Sequence, residues 1–295
     1  MYDISTIHEV SSIDEAIAAL SADENAMLIS GGTDVLIKIH EGKLAGVPLI
    51  SIHGLDELCG VTMSDNGVID IGPGTTFSQL ENDEIVLRHI PQLAEAAGQV
   101  GGPQIRAMGT VGGNVCNGVT SADTASSLFS MEAELVLKGP GGLRTVPISE
   151  FYTGPGKTVR LHDEVLVSIR ILPENYMGWS GHYIKYAQRN AMDIATLGVA
   201  CRVMLSDGKK TIEDCRLAFG VAAATPMRAF SAEKYAAGHA IDAGLADGFS
   251  EAALSDVNPR TSWRASREFR LQLVGELSKR ALKQAIINAG GECDA

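Results

Sequence analysis

Thr110-Val111-Gly112-Gly113-Asn114-Val115-Cys116-Asn117-Gly118-Val119-Thr120-Ser121-Ala122-Asp123 is the stretch that decides how the chain is read. It sets three glycines, two asparagines and four hydroxyl or acid side chains into fourteen residues, inside a chain otherwise rich in apolar residues. Glycine lets the backbone turn successive N–H groups toward one point and lets an anion approach closely. Leu28-Ile29-Ser30-Gly31-Gly32-Thr33-Asp34-Val35 shows the same pattern. Taken singly, the stretch at 31–34 reads as well as a strand-ending turn before an Asp N-cap as it does as a phosphate loop, and 110–114 as well as a glycine corner in the core. Taken together, each following an apolar segment, they favour one phosphate-bearing dinucleotide held at two points.

The 295 residues suffice for two domains, or for one large domain with an appendage. Apolar residues make up 45 % of the chain and charged residues 20 %, which supports a sizeable core and argues against disorder. Thirty-six acidic against 24 basic residues give a net charge of −12, a poor match to nucleic acid or an anionic membrane. An anionic ligand in a local pocket stays compatible with that balance. No run of about 18 apolar residues is present, so no membrane span is expected. Met1-Tyr2-Asp3-Ile4 starts no basic segment followed by an apolar core, so no signal peptide is expected. Five widely spaced cysteines (59, 116, 201, 215 and 293) read as reduced thiols in a cytoplasm. There is no Cys-x-x-Cys or His-x-x-x-His pair, so no metal site is expected, and the scattered histidines offer no catalytic candidate.

Along the chain, Ser12 and Glu15 read as a capping box for a helix over 12–20. A short strand over 26–30 runs into the first glycine loop, a helical turn covers 34–40, and a second strand covers 49–53. After residue 55 come a hairpin around Asp65-Asn66-Gly67, a helix from Thr76 to about His89, and another over 92–100. A helix over 123–131 follows the second loop, then a hairpin over 134–148 and a strand over 165–171. This makes two α/β units, with both glycine loops facing the cleft between them. From residue 182 the grammar is antiparallel (183–187, 195–205 and 211–220), followed by helices over 228–237, 242–253 and 264–289. A domain boundary falls near 173–181. Asp123 reads as a helix N-cap or as an acceptor for a ribose or ring group. Lys185, among apolar neighbours in a strand, reads as an edge-strand lysine reaching water. A Gly-x-Gly-x-x-Gly fingerprint is absent, and Gly154-Pro155-Gly156-Lys157-Thr158 reads as a chance turn.

Several further motifs carry a resemblance: Gly102-Pro103-Gln104-Ile105-Arg106, Asn117-Gly118-x-Thr120-Ser121-Ala122-Asp123, Pro226-x-Arg228, and Ser262-Trp263-Arg264-Ala265-Ser266-x-Glu268-Phe269-Arg270. With the two loops, they resemble the FAD-binding subunits of molybdenum hydroxylases, the xanthine dehydrogenase and carbon monoxide dehydrogenase family. The similarity runs from about residue 2 to 290 and is strongest to the separate FAD subunits of bacterial xanthine dehydrogenases.

The resemblance implies an α+β chain in two parts. Residues 1–177 would form a vanillyl-alcohol-oxidase (PCMH)-type FAD domain with subdomains over about 1–54 and 55–177. Residues 178–295 would form a C-terminal domain with a three-stranded antiparallel sheet and a helical bundle. It assigns FAD contacts to Leu28, Ile29, Ser30, Gly31, Gly32, Thr33, Asp34 and Val35, and to Thr110, Val111, Gly112, Gly113 and Asn114. Asp123, Leu166 and Lys185 match further cofactor contacts, which reverses the reading of Lys185 as a surface residue. No catalytic acid or base is implied, because flavin chemistry needs positioning and electrostatics. Val100 stands where animal relatives carry an aromatic residue, and Met192 where they carry an acid. Implied partners are a large molybdenum-cofactor subunit and a small [2Fe–2S] subunit in a dimer of heterotrimers, with NAD as acceptor. Rival expectations are an FAD subunit of aldehyde, nicotinate or CO dehydrogenase type, a self-contained flavin oxidoreductase, and a non-redox nucleotide-binding subunit.

Overall fold

In the computed structural model, which describes residues 2–293, the chain begins with a parallel sheet. It comprises β1 (Ile4–Glu9), α1 (Ile13–Ala22), β2 (Met27–Ile29), α2 (Val35–His40) and β3 (Val47–Ser51), in strand order β1-β3-β2. The second unit contains β4 (Val61–Met63), β5 (Ile69–Ile71), α3 (Phe77–Leu80), α4 (Glu84–His89), α5 (Pro91–Gly98), α6 (Pro103–Met108), α7 (Val111–Cys116) and α8 (Asp123–Ser130). It continues with β6 (Glu134–Gly139), β7 (Gly142–Pro147), α9 (Ile148–Phe151), β8 (Tyr152–Gly154), β9 (Lys157–Thr158) and β10 (Val165–Ile171). Five of these strands pair antiparallel in the order β4-β5-β10-β6-β7.

The third unit is a sheet of β11 (Ser180–Tyr186), β12 (Leu197–Leu205), β13 (Ile212–Gly220) and β14 (Met227–Arg228). It is packed under α10 (Phe230–Ala236), α11 (Leu245–Asp256) and α12 (Arg267–Asn288). The expected three antiparallel strands are present, and the two-residue β14 adds a fourth.

β10 joins the first two units. Successive strand residues point to opposite faces, so Val165 enters the core of the first unit while Leu166 enters that of the second. The third unit closes on the second across α8. There Arg216 lies 4.5 Å and Arg202 5.8 Å from the Trp179 ring centre, and both donate to Asn175, at 2.9 and 2.8 Å. Burial and the neighbouring Arg216 lower the Arg202 guanidinium to a pKa of about 9.

Two local expectations change, and one strand, β1, stands where none was expected. β1 carries apolar residues at 4 and 7, a spacing of three that hides a strand of period two. The helix expected from Thr76 to His89 is broken, because the Asp83 carboxylate accepts from the N–H groups of Ile85 and Val86 and starts α4 afresh. Ser12 caps α1, but Glu15 turns its carboxylate to Ser11 instead of closing a reciprocal box with Ser12.

Arg144 of β7 grips the buried Glu164 through two guanidinium nitrogens, at 2.5 and 2.7 Å, and Leu161 N donates to the same carboxylate at 2.7 Å. The Arg144 bonds hold the Glu164 pKa below its ordinary value. A carboxyl depressed in the folded state stabilises the fold above its unfolded pKa, near ~4.3, and loses that contribution as pH falls through the folded value. Arg144→Ala is expected to cost about 1–3 kcal/mol near neutral pH in denaturant titrations. The deficit is expected to shrink as the medium is acidified.

Candidate functional site

The first glycine turn is a concave row of amides. Gly32 has φ +72°, the left-handed conformation that lets successive N–H groups converge. Among the described residues, the N–H groups of Gly31, Gly32, Thr33 and Asp34 make no hydrogen bond within the chain. A cradle of unpaired amides beside a glycine with no side chain fits an anionic pyrophosphate.

The second glycine stretch, expected as a loop, is instead the capped first turn of helix α7. Its amides are satisfied internally: Val111 N by Thr75 O, Gly112 N by Pro73 O, Gly113 N by Thr110 Oγ1, and Asn114 N by Thr110 O. Thr110 is the N-cap of α7. A Cβ on Gly112 would lie 2.4 Å from Pro73 Cβ, so that glycine is required for packing. Gly113 is the exposed glycine of the loop.

The two loops touch. A Cβ on Gly31 would sit 1.7 Å from the Met108 carbonyl oxygen, immediately before the second loop. Asn117 then bridges them, donating from Nδ2 to Asp34 Oδ2 at 2.9 Å and accepting from Lys38 Nζ at 2.8 Å.

The chain of contacts continues from the loops toward Lys185. Thr124 Oγ1 donates to Asn114 Oδ1 at 2.6 Å, which ties α7 to the start of α8. Its neighbour Asp123 is not a helix cap; the N-cap is Ala122, and the Asp123 carboxylate is used elsewhere. Lys185 Nζ and Tyr183 OH each donate to it at 2.9 Å, and Lys185 Nζ also donates to Gln99 O at 2.9 Å.

The Asp123 and Lys185 side chains are 8 % and 7 % exposed. Lys185 does lie on the edge strand β11, but its ammonium turns inward to the pair. Burial raises the Asp123 carboxyl above its ordinary value, against the pull of Lys185 and of the Tyr183 hydroxyl. Burial beside Asp123 also pushes the Tyr183 phenol well up. Opposite Lys185 in the sheet is Gly198, where a Cβ would lie 3.2 Å from Tyr183 OH, so glycine leaves the room this cluster needs.

Lys185 lines a cleft of about 530 Å3 with Gln99, Tyr186, Arg189, Asn190 and Asp193. Met192 N donates to Gly101 O at 3.1 Å, closing the 189–193 loop over the end of α5. The structure thus brings together 28–35, 110–114, Asp123 and Lys185. Leu166 is the exception: it is 4 % exposed and packed in the core of the second unit.

Sequence reasoning passed over Asn117, Tyr183, Gln99 and Thr124. Tyr183 had a usable signal, since it lies two residues from Lys185 and shares its strand face. Gln99 acts through a backbone carbonyl, which no side-chain pattern reveals.

Two family models match the chain: the FAD binding domain in molybdopterin dehydrogenase over residues 3–174, and the CO dehydrogenase flavoprotein C-terminal domain over 182–285. The chain belongs to this family of FAD-binding molybdenum hydroxylase subunits. Within it, the chain is similar to the xanthine dehydrogenase FAD-binding subunit of Escherichia coli O157:H7, at 43 % identity over 99 % of both chains. It is 31 % identical to the carbon monoxide dehydrogenase medium chain of Hydrogenophaga pseudoflava, over 94 % of this chain and 96 % of that one. A solved carbon monoxide dehydrogenase structure from the same organism superposes with a TM-score of 0.92, covering 98 % of this chain and 99 % of the other at 30 % identity. The fold is accordingly the PCMH-type FAD domain followed by the carbon monoxide dehydrogenase-type C-terminal domain.

Gly31→Ala is expected to force the first turn away from Met108 while leaving the sheets intact. Titration of the apo-chain with FAD, followed by flavin fluorescence, should show at least about tenfold weaker binding, with an unchanged far-ultraviolet circular dichroism spectrum.

Proposed function

We propose that this chain is the electron-transfer subunit of a xanthine dehydrogenase-type molybdenum hydroxylase. It carries electrons from [2Fe–2S] clusters on a small partner chain, through FAD, to NAD+ as hydride. Hydroxylation of the purine takes place at a molybdenum cofactor on a large partner chain, so the oxidised substrate never meets this polypeptide. The assembly is a cytoplasmic dimer of heterotrimers, with residues 1–177 as the FAD-binding part and 178–295 as the C-terminal part. When bound, FAD supplies a carrier that accepts electrons singly and releases two together.

The observation that carries this reading is the continuous line of contacts from the open amide cradle to a buried ion pair at a cleft. Gly31, Gly32, Thr33 and Asp34 offer their amides to the pyrophosphate, flanked by Leu28, Ile29, Ser30 and Val35. Thr110, Val111, Gly112, Gly113 and Asn114 form the opposing wall, where Gly113 allows close approach. Asp123 and Lys185 mark the ring end. A lysine fixed there places a positive charge beside a ring that gains electrons, and low surrounding polarity strengthens that attraction. No group in the cleft needs to act as an acid or base for such a transfer.

The reading is tested by purifying the complex from its native source. The expected result is flavin on this chain, iron and molybdenum on partner chains, and NAD+ reduction with xanthine or hypoxanthine. A colourless chain that takes up no FAD would contradict it, and so would turnover of an organic substrate by this chain alone. Lys185→Met is expected to lower the flavin midpoint potential by roughly 30 mV or more, equivalent to about 1.4 kcal/mol for a two-electron couple. A dye-equilibration titration reads this shift independently of turnover.

A further inference from the structure

One quoted motif takes no part in the cradle or the ion pair: the loop 262–266 with Arg267, Phe269 and Arg270. Trp263, at its tip, is 79 % exposed, more than any other large apolar side chain among the described residues. An indole left in water forgoes the burial that most large apolar side chains obtain. Yet the loop is firmly held. Ser262 N donates to Ala265 O at 3.0 Å, Arg267 N to Thr261 Oγ1 at 3.0 Å, and Gln188 Nε2 to Arg264 O at 3.0 Å. Arg270, itself 2 % exposed, reaches back from α12 to Ser262 Oγ at 2.9 Å, to Arg260 O, and to Thr196 O at 3.2 Å. A rigid loop that presents an unburied tryptophan is a pre-organised anchor, since little further ordering is needed on association.

The surroundings of Trp263 define its partner. The Arg264 guanidinium lies 4.3 Å from the Trp263 ring centre, and the exposed Phe269 meets Tyr186 at 5.7 Å. Tyr186 also lines the cleft beside Lys185, so the patch is continuous with the mouth of the proposed flavin site. Arg260, Arg264 and Arg267 make it basic, with Glu268 as the carboxylate of the same stretch, in a chain of net charge −12. Tryptophan and arginine are the residues most often found at the energetic centre of protein interfaces. A protruding tip does not enclose a small ligand, which needs a concave site. A second copy of this chain in a two-fold contact would set basic patch against basic patch.

We propose that the Trp263 patch is the docking surface for the iron–sulfur partner chain. That chain offers an acidic surface around an apolar pocket that receives the indole. The inference rests on the functional reading above, which requires an electron-donating protein to sit close to the flavin.

The test uses the complete complex carrying Trp263→Ala or Arg267→Glu, two exposed positions outside the proposed FAD site. Wild type is expected to keep the iron–sulfur chain through size exclusion, read as iron per flavin and the visible spectrum of the cluster. Each variant is expected to keep its FAD and thermal midpoint while binding the iron–sulfur chain at least about tenfold more weakly. The defect of Arg267→Glu should be larger at low salt than at high salt. Iron per flavin equal to wild type in both variants would overturn the docking proposal. So would a change confined to self-association, seen by light scattering. Wild type carrying no iron–sulfur chain would instead overturn the functional reading, and this one with it, so the two failures are distinguishable.

Discussion

The ion pair between Lys185 and Asp123 is the contact on which the arrangement of the site depends. Removing one member of a buried pair leaves an uncompensated charge, at a cost of about 3–5 kcal/mol. Here the members come from different units: Asp123 from the first turn of α8, and Lys185 from the edge strand of the C-terminal sheet. Neither unit can keep its charge satisfied without the other. Arg216, stacked on the Trp179 indole, also donates to Ser130 O at the end of α8 at 3.4 Å, so the same two units are tied there as well. The cleft beside Lys185 is therefore fixed by packing, a favourable condition for electron transfer that depends on distance and fixed charge.

The two glycine loops solve different problems with similar composition. The first keeps its amides unpaired at Gly31–Asp34 and so can receive an anion. The second uses its amides to fasten α7 to the segment 73–75, and uses glycine to let backbones close on one another. A dinucleotide held between them would take most of its hydrogen bonds from one side and shape from the other.

Much of this was legible in the sequence, and the limits are physical. The long strands β10, β12 and β13 and the helix α12 were readable because their apolar period runs over many residues. The loops stood out because glycine next to hydroxyl residues is a strong local signal. β1 was hidden by its irregular period, and the break before α4 by an asparagine–aspartate pair inside a helical pattern. The fate of Lys185 was not local at all. Its partner lies 62 positions away, so spacing favoured a solvent-facing lysine, and only the assembled motifs pointed inward. Asn117 and Gln99 depend on the same kind of distant pairing. The capping role of Asp123 failed for a related reason: a carboxylate at a helix start also serves whatever cation the fold delivers.

Amide hydrogen exchange with and without FAD tests the account most directly. The amides of Gly31, Gly32, Thr33 and Asp34 have no partner among the described residues, whereas those of Val111, Gly112, Gly113 and Asn114 are already bonded. Stoichiometric FAD is predicted to slow exchange strongly in the first group and far less in the second. FAD bound at full occupancy with exchange at 31–34 unchanged would contradict the cradle and the site built around it.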